Sequence, residues 1–157
     1  MAKISFKPGN MLYPLPVVMV SVADRQGNSN IITIAWTGTV CTNPPMVNIA
    51  LRSSRYSYHM LQETGEFVIN LTTKELAYAT DYCGVQSGRD VDKWKETGLT
   101  PAASKMVKAP GIAESPVNIE CSVVKIEKLG SHDLFTAKVI AVHVDERYMD
   151  ARGSFQD

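Results

Sequence analysis

The sequence has no long apolar run and no surplus of either charge. A membrane-spanning helix needs about 18–20 consecutive apolar residues, and no stretch of these 157 residues approaches that length. Sixteen basic residues balance sixteen acidic ones, so the formal net charge is +0, whereas nucleic-acid-binding domains usually carry a basic excess. We therefore expect neither a membrane nor a nucleic acid as a partner.

Cysteine is also scarce. The three cysteines are an odd number at wide spacing, Cys41, Cys83 and Cys121, which excludes a disulfide framework and a zinc site of the C-x-x-C type. The three histidines show no metal-ligand spacing. The N-terminus lacks the basic and apolar segments of a signal peptide. We expect no metal site and a location in the reducing cytoplasm.

The residues that are present favour one all-β domain spanning residues 1–157. Alternating or β-branched patterns predict six strands, at 15–22, 29–36, 46–51, 66–71, 117–125 and 134–144, the last covered on both sides. Short helices are expected at 56–64 and, from a capping box at Thr72 and Glu75, at 72–83. A phase switch at Val124 predicts a β-bulge, and residues 98–115 look like an extended connection. Without a repeated βαβ rhythm, an antiparallel barrel is favoured.

Residues 29–45 are the most informative segment. A strand carrying Thr33 and Trp36 runs into small hydroxyl, amide and thiol residues and stops at Pro44-Pro45. Proline cannot donate to a strand ladder, so the strand must end before Pro44 and leave amides free. A ring with alternating donors and acceptors, such as an isoalloxazine, could take those amides. The alternative is that the threonines are ordinary strand formers and Trp36 is a core aromatic.

Residues 52–58 have the chemistry of a phosphate cradle. Ser53, Ser54 or Ser57 can cap the following helix, whose N-terminal amides favour an anion. Arg55 adds a guanidinium suited to phosphate oxygens. An ordinary helix cap beside surface arginines is the alternative. A ring site followed by a phosphate site suggests a mononucleotide cofactor.

A third segment, residues 84–94, is a polar loop that ends on Lys93 and Trp94. A cation near the pyrimidine end of a flavin would stabilise negative charge on the reduced ring and raise its potential. A solvated surface turn is the alternative.

These segments, in this order, resemble the flavin reductase-like family of FMN-binding split barrels, and its flavoredoxin-type branch most closely. The resemblance covers nearly the whole chain and rests on residues 14–20, 30–38, 41–46, 55–58, 66–70, 87–94 and 113–121. It implies a six-stranded antiparallel split β-barrel of Greek-key type with a few short peripheral helices. It also implies a homodimer that holds FMN non-covalently near its interface.

The resemblance assigns roles residue by residue. The ring and ribityl chain would be lined by Asn30, Thr33, Ile34, Ala35 and Trp36, and the isoalloxazine would also meet Cys41, Thr42 and Asn43. The phosphate would be held by Ser53, Ser54, Arg55 and Ser57, and Lys93 would approach the polar edge of the ring. No catalytic side chain is expected, because the flavin performs the redox step.

The sequence is compatible with three functions. The first is an NAD(P)H-dependent flavin reductase, and the second is an electron carrier that keeps its FMN and is reduced by a redox protein. The third is a small barrel for an apolar ligand. The sequence lacks the G-x-G-x-x-G fingerprint of dinucleotide-binding folds. This absence does not distinguish the reductase from the carrier, because the family that the sequence resembles binds nicotinamide without that fingerprint. Relatives usually continue past the last barrel strand, and we expect that extension to be lacking here. The sequence therefore does not decide whether a nicotinamide can reach the flavin.

Overall fold

The main feature of the protein, in a computed structural model that describes residues 1–156, is a seven-stranded antiparallel sheet. In chain order the strands are β1 (Val18–Ala23), β2 (Ser29–Ile34), β3 (Thr37–Cys41), β4 (Met46–Leu51), β5 (Glu66–Asn70), β6 (Pro101–Ala102), β7 (Gly111–Ile112), β8 (Val117–Lys128) and β9 (Asp133–Val144). The main sheet has the order β2-β1-β5-β8-β9-β4-β3, and β6 pairs with β7 in a small second sheet.

The helices are short and peripheral. They are α1 (Ser57–Thr64), α2 (Ala77–Val85) and α3 (Lys93–Thr97), with single 3₁₀ turns at Lys74–Leu76 and Glu146–Tyr148. Gly65 is the C-cap of helix α1, and its left-handed backbone (φ 65°) suits glycine. Asp92 is the N-cap of helix α3, and its carboxylate accepts hydrogen bonds from the amides of Trp94 and Lys95. Within the described residues, no helix combines the length and apolarity that crossing a bilayer would require.

The largest hydrophobic core is formed by residues of six strands of the main sheet together with two residues of α1. Val20, Ile49, Phe67 and Phe135 are all completely buried in it. Burying each large apolar side chain contributes about 1.5–3 kcal/mol. Because β2 and β4 are anchored by this core, the residues at their ends are held at fixed positions.

The all-β split-barrel class predicted from the sequence is confirmed, and the main sheet has one strand more than the six expected. The additional strand is β3, which pairs with β4 at the edge of the sheet. The prediction that this segment is a loop was wrong. Pro44 and Pro45 lie in the four-residue turn that joins β3 to β4, so the prolines reverse the chain between two paired strands.

Other local predictions had mixed outcomes. The β-bulge is confirmed, since the β8–β9 register shifts between Val123 and Lys125. The capping box is wrong, because the Thr72 hydroxyl donates to the carbonyl of Val17 (2.8 Å). The connection at 98–115 contains β6 and β7. Strand β9 is not covered on both sides within the chain, since Val142 is 53% exposed.

Candidate functional site

A groove beside the end of β2 is the most promising site, and it consists of two adjoining cavities. The first, about 190 Å³, lies between β2, the start of α1 and the 86–89 loop. The second, about 300 Å³, lies between the end of β2, the end of β4 and the β8–β9 turn. Both are lined by Ile32 and Arg55. Together they fall in the range of about 300–1,000 Å³ that is usual for ligand sites.

A buried polar pair forms part of the first cavity. Asn30 is 3% exposed and Ser57 is fully buried. The Asn30 amide nitrogen, Nδ2, donates to Ser57 Oγ at 2.8 Å. Strand β2 carries Asn30 and helix α1 begins with Ser57, so this bond joins the strand to the helix start that carries the predicted phosphate cradle.

Lys93 supplies a buried positive charge to the first cavity. The residue is 3% exposed, and its Nζ donates to the carbonyls of Ile31 (2.7 Å) and Cys83 (2.9 Å). Burial lowers the pKa of Lys93 to about 8, and the Arg55 guanidinium acts in the same direction. The ammonium has one N–H beyond the two that these carbonyls accept, so it can still donate to a ligand.

Arginines surround the groove. Arg55 donates to the carbonyl of Gly84 (3.1 Å), and Arg89 donates to that of Ser54 (3.2 Å). Arg52 lines the second cavity. Across the described part of the chain, neither cavity is lined by an aspartate or a glutamate. The groove therefore has a positive potential suited to an anionic ligand.

The second cavity is the more open of the two, and one of its walls is apolar. Ile34, Ala35 and Trp36 line it, and the Trp36 ring packs against His132 with centroids 4.5 Å apart and planes at 33°. Trp36 is 42% exposed, which rules out the core-aromatic alternative. Burial, and secondarily the charge of Arg52, lowers the pKa of His132. An aromatic ring could stack on such a wall.

The structure brings most of the predicted site residues together, and a few lie elsewhere. Asn30, Ser54, Arg55, Ser57 and Lys93 line the first cavity, while Thr33, Ile34, Ala35, Trp36 and again Arg55 line the second. The remaining four, Cys41, Thr42, Asn43 and Ser53, line neither. Cys41 is the last residue of β3, an edge strand, and Thr42 and Asn43 follow it in an exposed turn.

Sequence reasoning gave no role to three further lining residues, Arg52, Arg89 and His132. Arg52 and Arg89 lie in segments that the sequence singled out, and their charge was the available signal. His132 had no such signal. The β8–β9 turn brings it to Trp36 across 96 positions of sequence, a contact that only the fold reveals.

The protein is an antiparallel split barrel, and the groove at its surface is lined by cations, as expected of a small barrel that binds an anionic ligand. The chain belongs to the Flavin reductase like domain family, whose profile matches residues 10–157, and to its flavoredoxin-type branch. An uncharacterized protein of Archaeoglobus fulgidus is 33% identical over 142 residues, which cover 90% of this chain and 78% of that protein.

Solved structures give the same result. The flavoredoxin of Desulfovibrio vulgaris (Miyazaki F) is similar with a TM-score of 0.89 and 31% identity, covering 99% of this chain and 83% of that one. A flavoredoxin from Methanosarcina acetivorans has a TM-score of 0.88 and 29% identity over 99% of this chain and 82% of that one. Family and neighbours together support a flavin cofactor and a redox function.

Proposed function

We propose that the groove binds FMN non-covalently. The observation that carries the proposal is that two cavities meet at Ile32 and Arg55. The first is positively charged, with no carboxylate from residues 1–156 in its lining. The second has an apolar wall at its far side. A phosphate needs the first and a ring system needs the second. An FMN-binding protein from Thermus thermophilus shares the fold, at 20% identity and a TM-score of 0.82.

The residues of the chain would divide the work of holding FMN. Ser54, Arg55 and Ser57 take the phosphate, with Arg55 offering N–H donors beyond the one that Gly84 accepts. Ile34, Ala35 and Trp36 form the wall for the ring. Lys93 is fixed by two carbonyls and lines the first cavity, where its poorly solvated positive charge would act on the polar edge of the ring that points towards that cavity. When bound, the flavin would supply two-electron redox chemistry, and these residues would hold and orient it.

We propose that the donor is NAD(P)H and that the protein is a flavin oxidoreductase. Trp36 is 42% exposed, so the ring wall is open to solvent, and a nicotinamide could approach a flavin bound there. Stopped-flow mixing of the FMN-loaded protein with NADH and with NADPH tests this. Bleaching of the flavin absorbance within seconds by one of them is the expected result, and no bleaching in minutes would reject NAD(P)H as donor.

The second candidate is an electron carrier reduced by a protein partner. The similarity to two flavoredoxins over 99% of the chain favours it. The same stopped-flow experiment separates the candidates, because a carrier would be reduced slowly or not at all by nicotinamides and rapidly by a reduced redox protein.

We further propose that the protein is a homodimer in the cytoplasm. The described residues expose several large apolar side chains that a partner could cover, among them Phe6 (81%), Leu12 (84%) and Val142 (53%). The edge strand β3 would bring Cys41, Thr42 and Asn43 to a flavin only within such an assembly. Three free thiols fit a reducing compartment. Light scattering that gives twice the chain mass, and the single-chain mass for Val142→Glu, is expected.

A further inference from the structure

The 86–89 loop forms the end wall of the first cavity, and Gly88 is the point where it packs most tightly. A Cβ added at Gly88 would lie 2.4 Å from Cδ1 of Tyr56 and 2.7 Å from Oδ1 of Asn30. Contacts this short are not tolerated, so the loop reaches this position only because residue 88 has no side chain. The wall therefore has a fixed distance from β2 and α1.

Beyond the wall lies a further cavity of about 440 Å³ that adjoins the first. Five residues line both cavities: Asn30, Tyr56, Gly88, Arg89 and Lys93. The contact of Gly88 with Tyr56 and Asn30 therefore lies between the two cavities. The further cavity differs in character because Asp90 and Asp92 also line it. A ligand that extended from the first cavity through the wall would meet these two carboxylates. An anionic extension would be repelled there.

Arg89 is held in the wall by two contacts. Its NH1 donates to the Ser54 carbonyl at 3.2 Å, and its guanidinium carbon lies 5.8 Å from the centroid of the Tyr56 ring, a distance at which cation–π attraction operates. Among residues 1–156, no carboxylate forms an ion pair with Arg89. Its charge and remaining N–H groups are available to a ligand in the first cavity.

We propose that Arg89 binds the terminal phosphate of the ligand and, together with Gly88, limits the ligand to a mononucleotide. This inference rests on the proposed function. A monoester phosphate carries close to two negative charges and presents unsubstituted oxygens to a guanidinium fork. In a dinucleotide such as FAD the same phosphate has lost one of those oxygens, and the rest of the molecule must pass the wall at Gly88 towards Asp90 and Asp92.

The test is direct binding of riboflavin, FMN and FAD, followed by the quenching of flavin fluorescence. The variants are Arg89→Ala, Arg89→Lys and the matched control Arg25→Ala. Arg25 is likewise exposed and donates to a main-chain carbonyl, that of Glu63, at 3.0 Å. We expect the wild type to prefer FMN over both other flavins. Arg89→Ala should weaken the binding of FMN about 10- to 30-fold and change the affinity for riboflavin less than about twofold. The preference for FMN over FAD, measured as the ratio of the two affinities, should become smaller.

Arg89→Lys should give an intermediate loss for FMN, because it keeps the charge without the planar fork, and Arg25→Ala should leave all three affinities unchanged. Equal losses of FMN and riboflavin in Arg89→Ala would mean that Arg89 only supports the loop, which overturns the inference. Wild-type protein that binds FAD as tightly as FMN would overturn the length limit while the proposed function stands. Failure to bind any of the three flavins would reject the proposed function itself.

Discussion

The first cavity contains two kinds of cation, and Lys93 and Arg55 show the difference. Lys93 is 3% exposed and bonded to two main-chain carbonyls, and burial lowers its pKa to about 8. Arg55 is exposed and donates to one carbonyl. Because a buried charge is poorly screened, it acts strongly on charge that appears nearby. An exposed guanidinium is screened by water, and it contributes mainly through the geometry of its hydrogen bonds.

The largest expected effect tests the buried cation. Lys93→Met should lower the midpoint potential of the bound flavin by about 60 mV, because the negative charge of the reduced ring loses a poorly solvated neighbour. For a two-electron couple this is about a hundredfold weaker binding of reduced relative to oxidised flavin. Spectroelectrochemistry measures the shift. Lys95→Met, an exposed lysine of the same helix, is the control, and an unchanged potential in Lys93→Met would remove Lys93 from the ring site.

The exposed cation should discriminate between ligands that differ in phosphate. Arg55→Ala should weaken FMN about 30-fold and riboflavin less than about twofold, since only FMN offers a phosphate to the lost hydrogen bonds. Fluorescence titration of both ligands gives the two ratios. If Arg55→Ala weakens the binding of FMN and riboflavin by the same factor, Arg55 does not contact the phosphate, and the contrast with Lys93 fails.

A residue of the ring wall should show the opposite selectivity. Trp36→Ala should weaken FMN and riboflavin by the same factor, about five- to tenfold, because stacking acts on the ring that both share. Tyr78→Ala, which removes an aromatic side chain that is 71% exposed and lines neither cavity, should change neither affinity. A loss confined to FMN would place Trp36 at the phosphate end and reverse the proposed direction of the ligand in the groove.

The smallest expected effect is on stability without ligand. The pKa of Lys93 is lowered from 10.5 to about 8 on folding, so between pH 8 and 10.5 the unfolded chain binds more protons than the folded one. The free energy of unfolding should therefore rise with pH in this interval. The rise should be on the order of 1 kcal/mol, because solvent in the cavity screens part of the lysine's charge. Urea unfolding of wild type and Lys93→Met at pH 7.5 and 10 measures it. A rise of equal size in both proteins would contradict the assignment.

Local patterns in the sequence predicted much of the fold. The strand at 46–51 is confirmed as Met46–Leu51, and the bulge at Val124 followed from a change of side-chain phase. Strand β3 is not predictable from local pattern because its pairing with β4 depends on a turn through Pro44 and Pro45, and prolines in a sequence indicate only where a strand must end. Its exposed and half-buried residues also lack the alternation that marks a strand.

The site was harder to predict than the fold because it is built from contacts distant in sequence. A cationic role for Lys93 was predicted, but its burial depends on the carbonyl of Ile31, 62 positions away. The packing of His132 on Trp36 had no local signal. Sequence patterns report the period of a strand or the cap of a helix, whereas the depth of a side chain depends on which elements meet.

Equilibrium titration of the purified protein with FMN, followed by absorbance and fluorescence, decides whether the groove is a flavin site. We expect one FMN bound per chain with a dissociation constant of about 1 µM or lower, and a much weaker affinity for riboflavin. A protein that is colourless as purified and does not quench FMN fluorescence at about 100 µM chain would contradict it.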